Sequence, residues 1–455
     1  MLKPYKEYRY FGLPWLEEVP SHWAMLRNKN VLIEKKEVVG SSANNYLLLS
    51  LTLNGVIARD MINAKGKFPK DFNTYKVVEP GNLIFCLFDI DETPRTVGLS
   101  PLNGMITGAY DVFQPVNING KYLYYYYLSI DNVKGLKPLY TGLRKVINIQ
   151  TFLGTKLPVP PKEEQDQIVR FLDWKLSKIN KLIRAKKKQI ALLNEQKQVI
   201  INNAVTKGVD PNVPMKDSGI EWINQIPGHW SVLYLSQTAT EQKISNKDFN
   251  NQNLLSLSYG KIINKDINKT DGLLPTSFET YQVVHDGNII LRLTDLQNDH
   301  KSLRVGLATQ TGIITSAYTC LLPRESISPE FLYLLLHSYD VCKVFYGMGG
   351  GVRQSISYKD IRKLFIPVPP LEEQIQIAEF CKNRSKFIEN FIVNIEKEIL
   401  LLTEYRTRLI SDVVTGKVDV LDIEIPKYEA DSDDFNDNEI DNLVFDEEDG
   451  ETEVE

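Results

Sequence analysis

The chain states one pattern twice, and that repetition limits its fold more than any other feature. Leu157-Pro158-Val159-Pro160-Pro161-Lys162-Glu163-Glu164-Gln165 returns 209 residues later as Ile366-Pro367-Val368-Pro369-Pro370-Leu371-Glu372-Glu373-Gln374. Gly12 to Trp23 (GLPWLEEVPSHW) returns as Gly219 to Trp230 (GIEWINQIPGHW), at an offset of 207. Tyr75 to Ile84 matches Tyr281 to Ile290, and Gly104 to Tyr110 matches Gly312 to Tyr318. An offset this constant means a duplicated unit with few insertions. Two copies are too few for a solenoid, in which each repeat needs neighbours on both sides. The expectation is a pair of globular modules related by a pseudo-two-fold axis, as in a dimer fused into one chain.

Each copy ends in a helical pattern. Pro161 and Pro370 suit a first helical turn, where the missing N–H has no partner to lose. Glu163 and Glu164 follow where the helix dipole favours negative charge. Positions alternating by three and four run Val169, Leu172, Leu176, Ile179, Ile183, Lys186, Ile190, Leu193, Lys197, Ile200, Ala204. The second copy gives Ala378, Cys381, Ser385, Ile388, Ile392, Ile395, Ile399, Leu402, Arg406, Leu409, Val413. A narrow seam over about five heptads predicts a coiled coil. Lys197 and Arg406 fall at matching places; they either fix register or carry long stems past the seam, and the second is the simpler expectation. Glycine beside lysine at Lys207-Gly208 and Gly416-Lys417 marks the helix ends. Two equal seams most simply pack on each other, antiparallel about the pseudo-two-fold, as a rod of roughly 60–65 Å. The alternative is that they recruit helices of another protein.

Residues 24–156 and 231–365 carry the short β-like runs and one helix-like stretch each. The runs are Leu47–Leu53 with Leu254–Ser258, Leu83–Phe88 with Ile289–Leu293, and Met105–Tyr110 with Ile313–Cys320. Lys121–Ser129 and Glu330–Ser338 read as helix, so each module is α+β. The polar segments between differ: Asn54–Asn73 has little likeness to Gly260–Thr276. A shared frame with divergent loops suits the binding of two different targets with one geometry. After the helix each module has a glycine-containing loop with an arginine, in Gly142-Leu143-Arg144-Lys145 and in Gly349-Gly350-Gly351-Val352-Arg353-Gln354. Arginine can hold a phosphate, or the guanine O6/N7 edge, with two hydrogen bonds. Arg144, Lys145, Gly349, Gly350, Gly351, Arg353 and Gln354 are the candidate DNA-contacting residues. The competing reading is a plain turn whose arginine pairs with a carboxylate.

Charge and missing motifs narrow the function. The net charge of −5 is dominated by the end of the chain, where residues 428–455 hold 14 Asp or Glu and no Lys or Arg. Without that tail, 44 acidic residues face 53 basic ones, a body charge of +9 that leaves room for a polyanionic partner. The tail itself is expected to be disordered, either competing for a basic surface of its own protein or serving as solvated ballast. No phosphate-binding loop, dinucleotide fingerprint or amino-methyltransferase motif occurs. The four cysteines have unrelated spacings, so buried or incidental thiols are expected rather than disulfides or zinc. His22 and His229 recur in Pro-x-His-Trp phrases without a second ligand or a nucleophile, which points to packing or capping. No apolar run spans a bilayer and no signal-peptide core opens the chain, so a cytoplasmic protein is expected. The reading is of a binder without catalytic residues.

These features together resemble the specificity subunits of type I restriction–modification systems, over residues 1 to about 425. The likeness is carried by the duplicated Trp-x₄-Pro-x-His-Trp-like phrases (Trp15 to Trp23, Trp222 to Trp230), the two Pro-Val-Pro-Pro-x-Glu-Glu-Gln helix starts and the Gly-x-x-Arg-like loops. The resemblance implies an N-terminal repeat segment at 1–23 and target-recognition domains at 24–156 and 219–365. It places the first helix and linker at 157–218 and the second helix at 366–427, with the acidic tail at 428–455. It implies that each domain reads half of a bipartite double-stranded DNA site, while the helices set the gap and dock partners. Those partners are two methyltransferase subunits, which use S-adenosylmethionine, and restriction/translocase subunits using ATP and Mg²⁺; this subunit itself carries no cofactor. The acidic tail departs from the family pattern. A non-catalytic coiled-coil scaffold without DNA readout is the alternative, and it leaves the divergent loops unexplained.

Overall fold

The computed structural model describes residues 3–59, 71–141, 145–247, 251–266, 278–296, 299, 302–348 and 355–428. They fall into two compact units, one built from residues up to Lys188 together with those from Ile395 onward, the other from Gln189–Asn394. The acidic tail from residue 429 lies outside the described residues, as do most of the glycine-loop positions.

In the first unit a four-stranded antiparallel sheet runs in the order Leu32–Lys35, Asp111–Pro115, Leu83–Phe85, Val97–Leu99. The second unit repeats that order with Ala239–Gln242, Thr319–Pro323, Ile289–Leu291, Val305–Leu307. Each central strand is a run of apolar residues buried on both faces, which is why these short segments read as strands despite their length. A helix covers each sheet: Gly120–Asn132, buried through Tyr122, Tyr126 and Tyr127, and Pro329–Val341, buried through Phe331, Leu332, Leu335 and Leu336. The strand that leaves each module returns to pair antiparallel with the one that entered it, Lys156–Val159 on Ala24–Arg27 and Phe365–Val368 on Ser231–Tyr234. Module entry and exit are thereby stapled together. The expected α+β class holds, with one addition: each repeated tryptophan phrase belongs to a β-hairpin, Tyr8–Leu13 with Leu16–Pro20 and Met215–Ile220 with Ile223–Pro227.

The long helices span Lys162–Lys207 and Leu371–Val414. None of the predicted seam positions is exposed. Within the first unit the pairs Asn180–Arg406 and Lys186–Glu398 run in opposite directions along the two helices. Within the second, Lys197 reaches Glu389 at 3.2 Å and Gly208 stands against Glu373, again antiparallel. Lys197 and Arg406 therefore do not extend past the seam as expected. Each closes a polar contact across it, because a carboxylate or an amide oxygen lies opposite.

The repeated motifs meet at the helix ends. Glu164 Oε1 accepts from Tyr5 Oη at 2.6 Å and from Trp23 Nε1 at 2.8 Å, and its Oε2 lies 2.9 Å from His22 Nε2. Glu373 takes Trp230 Nε1 at 3.0 Å and His229 Nε2 at 2.7 Å. The neighbouring glutamines complete the joint: Asn119 N donates to Gln165 Oε1 at 2.9 Å, and Ser328 N donates to Gln374 Oε1 at 2.8 Å. Asn119 and Ser328 are the N-caps of the two module helices. Glu164 with Gln165, and Glu373 with Gln374, thus fasten long helix, tryptophan phrase and module together, a role beyond the dipole reading of the acidic first turn. The opposite helix end seals each joint. Gly416, in the left-handed region at φ +76°, leaves no room for a Cβ against Pro20 and Trp23.

His337 gives the second unit a pH dependence. It is buried on the module helix with Nε2 3.3 Å from Gln198 Oε1 on the first long helix. Burial, then the Lys197 charge, pushes its pKa down to about 4 from 6.5. The unfolded chain therefore takes up the proton first. Stability is full above about pH 6.5 and falls toward pH 4, by about 3 kcal/mol on the scale of 1.4 kcal/mol per pH unit. His337→Gln should flatten that slope in urea titrations from pH 7 to 4; an unchanged slope would place the effect elsewhere.

Candidate nucleic-acid interface

In both modules the segment after the central sheet strand meets the segment after the module helix. Ile147 N donates to Leu87 O at 2.7 Å in the first, and Ile356 N to Leu293 O at 2.9 Å in the second. The two loops of each module are therefore brought to one end of it. Both loops begin in the left-handed region at an aspartate, Asp89 at φ 42° and Asp295 at φ 56°. Strained backbone of this kind persists where the surroundings over-determine it.

The fastenings differ. In the first module Lys145 Nζ lies 3.2 Å from Asp91 and 2.9 Å from Glu92, and Tyr140 Oη donates to Asp91 at 2.9 Å. The Tyr140 hydroxyl and then Lys145 hold the Asp91 carboxyl below its usual pKa, while Glu92 and Asp91 push Lys145 up. All of this is at the surface. In the second module the tie is internal. Arg304, with no exposed surface, donates from Nη1 to Thr294 O at 2.7 Å and Arg292 O at 3.3 Å. Its Nη2 reaches Asp295 O at 3.2 Å and Asp299 O at 2.5 Å. Its Nε meets Tyr346 Oη at 3.1 Å, and that hydroxyl also donates to Asp299 O. One guanidinium thus ties Arg292, Thr294, Asp295 and Asp299 to Tyr346, using the five donors that only arginine presents.

Of the predicted contact residues, Lys145 is described, at the surface and ion-paired within its own module. Arg144, Gly349, Gly350, Gly351, Arg353 and Gln354 lie outside the described residues. Sequence reasoning missed Asp91, Glu92, Arg304 and Tyr346. Arg304 did leave a signal: it directly precedes the strand Val305–Leu307, whose first residue is fully buried, and a charge at such a place needs buried partners. Among the described residues no cluster of His, Cys, Asp or Glu could hold a metal ion. No described helix is long and apolar enough to cross a membrane. The four cysteines are free thiols, three of them buried.

The family model for the type I restriction modification DNA specificity domain matches this chain at two places, residues 107–192 and 309–400. Each match runs from the module's later strands through its helix into a long helix. Both copies of the repeat are thus similar to the type I restriction–modification specificity domain. Among curated relatives, the chain is 29% identical over 285 residues to the putative type I restriction enzyme MjaX specificity subunit of Methanocaldococcus jannaschii, covering 60% of this chain and 62% of that one. To the type I restriction enzyme MjaVIII specificity subunit of the same organism it is 28% identical over 296 residues, covering 62% and 66%. The chain thus spans under two thirds of either relative's length. A solved structure concerned with complex assembly and conformational transition of the type I R-M system contains a chain with the same fold. It matches with a TM-score of 0.60 at 14% identity, covering 88% of this chain and 99% of that one.

Proposed function

We propose that this chain is the non-catalytic, DNA-reading subunit of a cytoplasmic type I restriction–modification complex, each module reading one half of a bipartite, asymmetric double-stranded site. The observation that carries this is the paired loop end: one sheet order and one helix frame in both modules, with different polar groups fastening the loops. A common frame with distinct loops lets two sequences be read with one geometry. The long helices set the unread gap and dock two methyltransferase subunits. In support, the second long helix leaves Phe387, Phe391, Leu400, Leu401 and Tyr405 exposed, with the Phe387 and Phe391 rings 5.4 Å apart. Exposed aromatic and aliphatic groups on one element suit a protein partner. Methyl transfer from S-adenosylmethionine and ATP-driven, Mg²⁺-dependent cleavage belong to partner subunits.

The decisive experiment exchanges residues 231–365 for the second module of another family member. Methylome sequencing of a strain carrying the chimera is expected to show one half-site changed and the other kept. A change in both would refute independent reading.

The glycine-loop arginines give a finer test. Arg144→Ala and Arg353→Ala are each expected to weaken specific binding by about 1–3 kcal/mol, the worth of a good bidentate base contact. If they touch phosphate instead, specific and random duplexes weaken alike, and the salt slope drops by about one unit. Unchanged binding in both variants would make the loops structural.

A further inference from the structure

Between Lys175 and Lys188 the first long helix carries seven Lys or Arg and no Asp or Glu. The repeat-related stretch of the second long helix, Arg384 to Lys397, has three cations and two carboxylates. Lys186 pairs with Glu398 of the second long helix, and Leu176, Ile179 and Ile183 fill the buried side. Lys178, Lys181 and Lys188 are exposed. Lys181 and Lys188 are seven residues apart, hence on one line of the helix surface. The ammonium groups of Lys175 and Lys178 lie 4.2 Å and 4.8 Å from the Trp174 ring centroid, so one end of this cationic face is ordered on an aromatic side chain.

The described chain ends beside the same helix. Past Gly416 it runs along the start of the first long helix, where Gln167 Nε2 donates to Val420 O at 3.1 Å and to Ile423 O at 2.8 Å. Ile423 and Ile425 pack on the core of the first unit. The described chain is thus held beside Gln167, about two helical turns before Lys175 on the same helix. Beyond it come residues 429–455, with 14 carboxylates and no basic residue.

We propose that residues 429–455 dock as an internal polyanion along the exposed lysine face of the first long helix, from Lys175 to Lys188, and compete there with nucleic-acid phosphate. Reach is ample. Asp173 to Lys188 spans about 22 Å of helix at ~1.5 Å per residue, whereas the tail extends to about 90 Å at ~3.3 Å per residue. Tethering supplies an effective concentration on the order of millimolar, which makes a weak electrostatic contact persistent. Random DNA is held mainly through phosphate charge, so the tail screens this face from the wrong duplexes at little cost to a site engaged by both modules.

Zero-length carboxylate-to-amine crosslinking of the full-length protein, without DNA, tests the contact directly and does not depend on the DNA-reading role. Tail carboxylates are expected to link to Lys175, Lys178, Lys181 or Lys188 at low salt and to lose those links at about 0.5 M salt, where the screening length falls to a few ångström. No tail links, or links spread over lysines of the modules, would overturn the proposal. Ending the chain at Tyr428 should tighten binding of a random-sequence duplex roughly tenfold at low salt. Most of that gain should vanish when Lys178→Glu, Lys181→Glu and Lys188→Glu are also present. An equal gain in both backgrounds would mean that the tail acts through net charge alone. If the full-length protein and every variant fail to bind DNA, the DNA-reading role falls, and the crosslinks alone decide the docking.

Discussion

Inserting one heptad into each long helix, beside Ile190 and Ile399, is expected to lengthen the gap in the methylated site by roughly three base pairs while leaving both half-sites unchanged. Ile190 is buried in the seam and Ile399 half-buried, and seven residues keep both seams in phase. Each helix gains about 10 Å at ~1.5 Å per residue, against a duplex rise of ~3.4 Å per base pair. Three base pairs also turn the duplex by about a third of its helical repeat, so some affinity is lost. Methylome sequencing reads the result. An active double insertion that keeps the original spacing would restrict the helices to a docking role.

The joint at Glu164 predicts the largest stability effect. Glu164→Ala removes the acceptor of two deeply buried donors, Trp23 Nε1 and Tyr5 Oη. Each buried donor left without a partner costs about 1–3 kcal/mol, so the first unit should lose about 2–6 kcal/mol of unfolding free energy. Glu164→Gln keeps one amide oxygen for these donors and should lose less. Glu373→Ala strands a single buried donor, Trp230 Nε1, and should cost the second unit about 1–3 kcal/mol. Urea unfolding followed by tryptophan fluorescence would resolve the order. A Glu164→Ala loss below 1 kcal/mol, or one no greater than that of Glu373→Ala, would show that packing alone holds the joint.

How much of this was legible in the sequence depended on the distance over which each signal acts. The seam was readable because helical periodicity repeats locally over many turns, and every seam position proved at least half-buried. The hairpins were not. In Leu16–Pro20 the inward residues Leu16 and Val19 are separated by two adjacent carboxylates, so no alternation of period two survives over so short a strand. The role of Glu164 needed a contact across 141 residues with Trp23. Repetition showed that both phrases recur together, but no local rule says that they touch. At the candidate interface the sequence marked two glycine loops by their punctuation, but Arg144 and Arg353 lie outside the described residues. The fastening by Arg304 was not legible, because its acceptors are loop carbonyls whose placement is a tertiary outcome.

The contact between Asp419 N and Lys3 O, at 2.8 Å, sets an order of events in time. Among the described residues, the first unit is assembled from two separate stretches, up to Lys188 and from Ile395, while the second is one continuous stretch, Gln189–Asn394. A ribosome adding roughly 5–20 residues per second releases Lys188 some 10–50 s before Asp419. During that interval Ile179 and Ile183 wait for a helix that does not yet exist, and the stretch that becomes the second unit can fold ahead of the unit that began first. The nascent first unit is thus the vulnerable species, with its apolar seam open to chaperones or to a neighbouring chain on the same messenger. Its rescue is the last described stretch of the protein to be made.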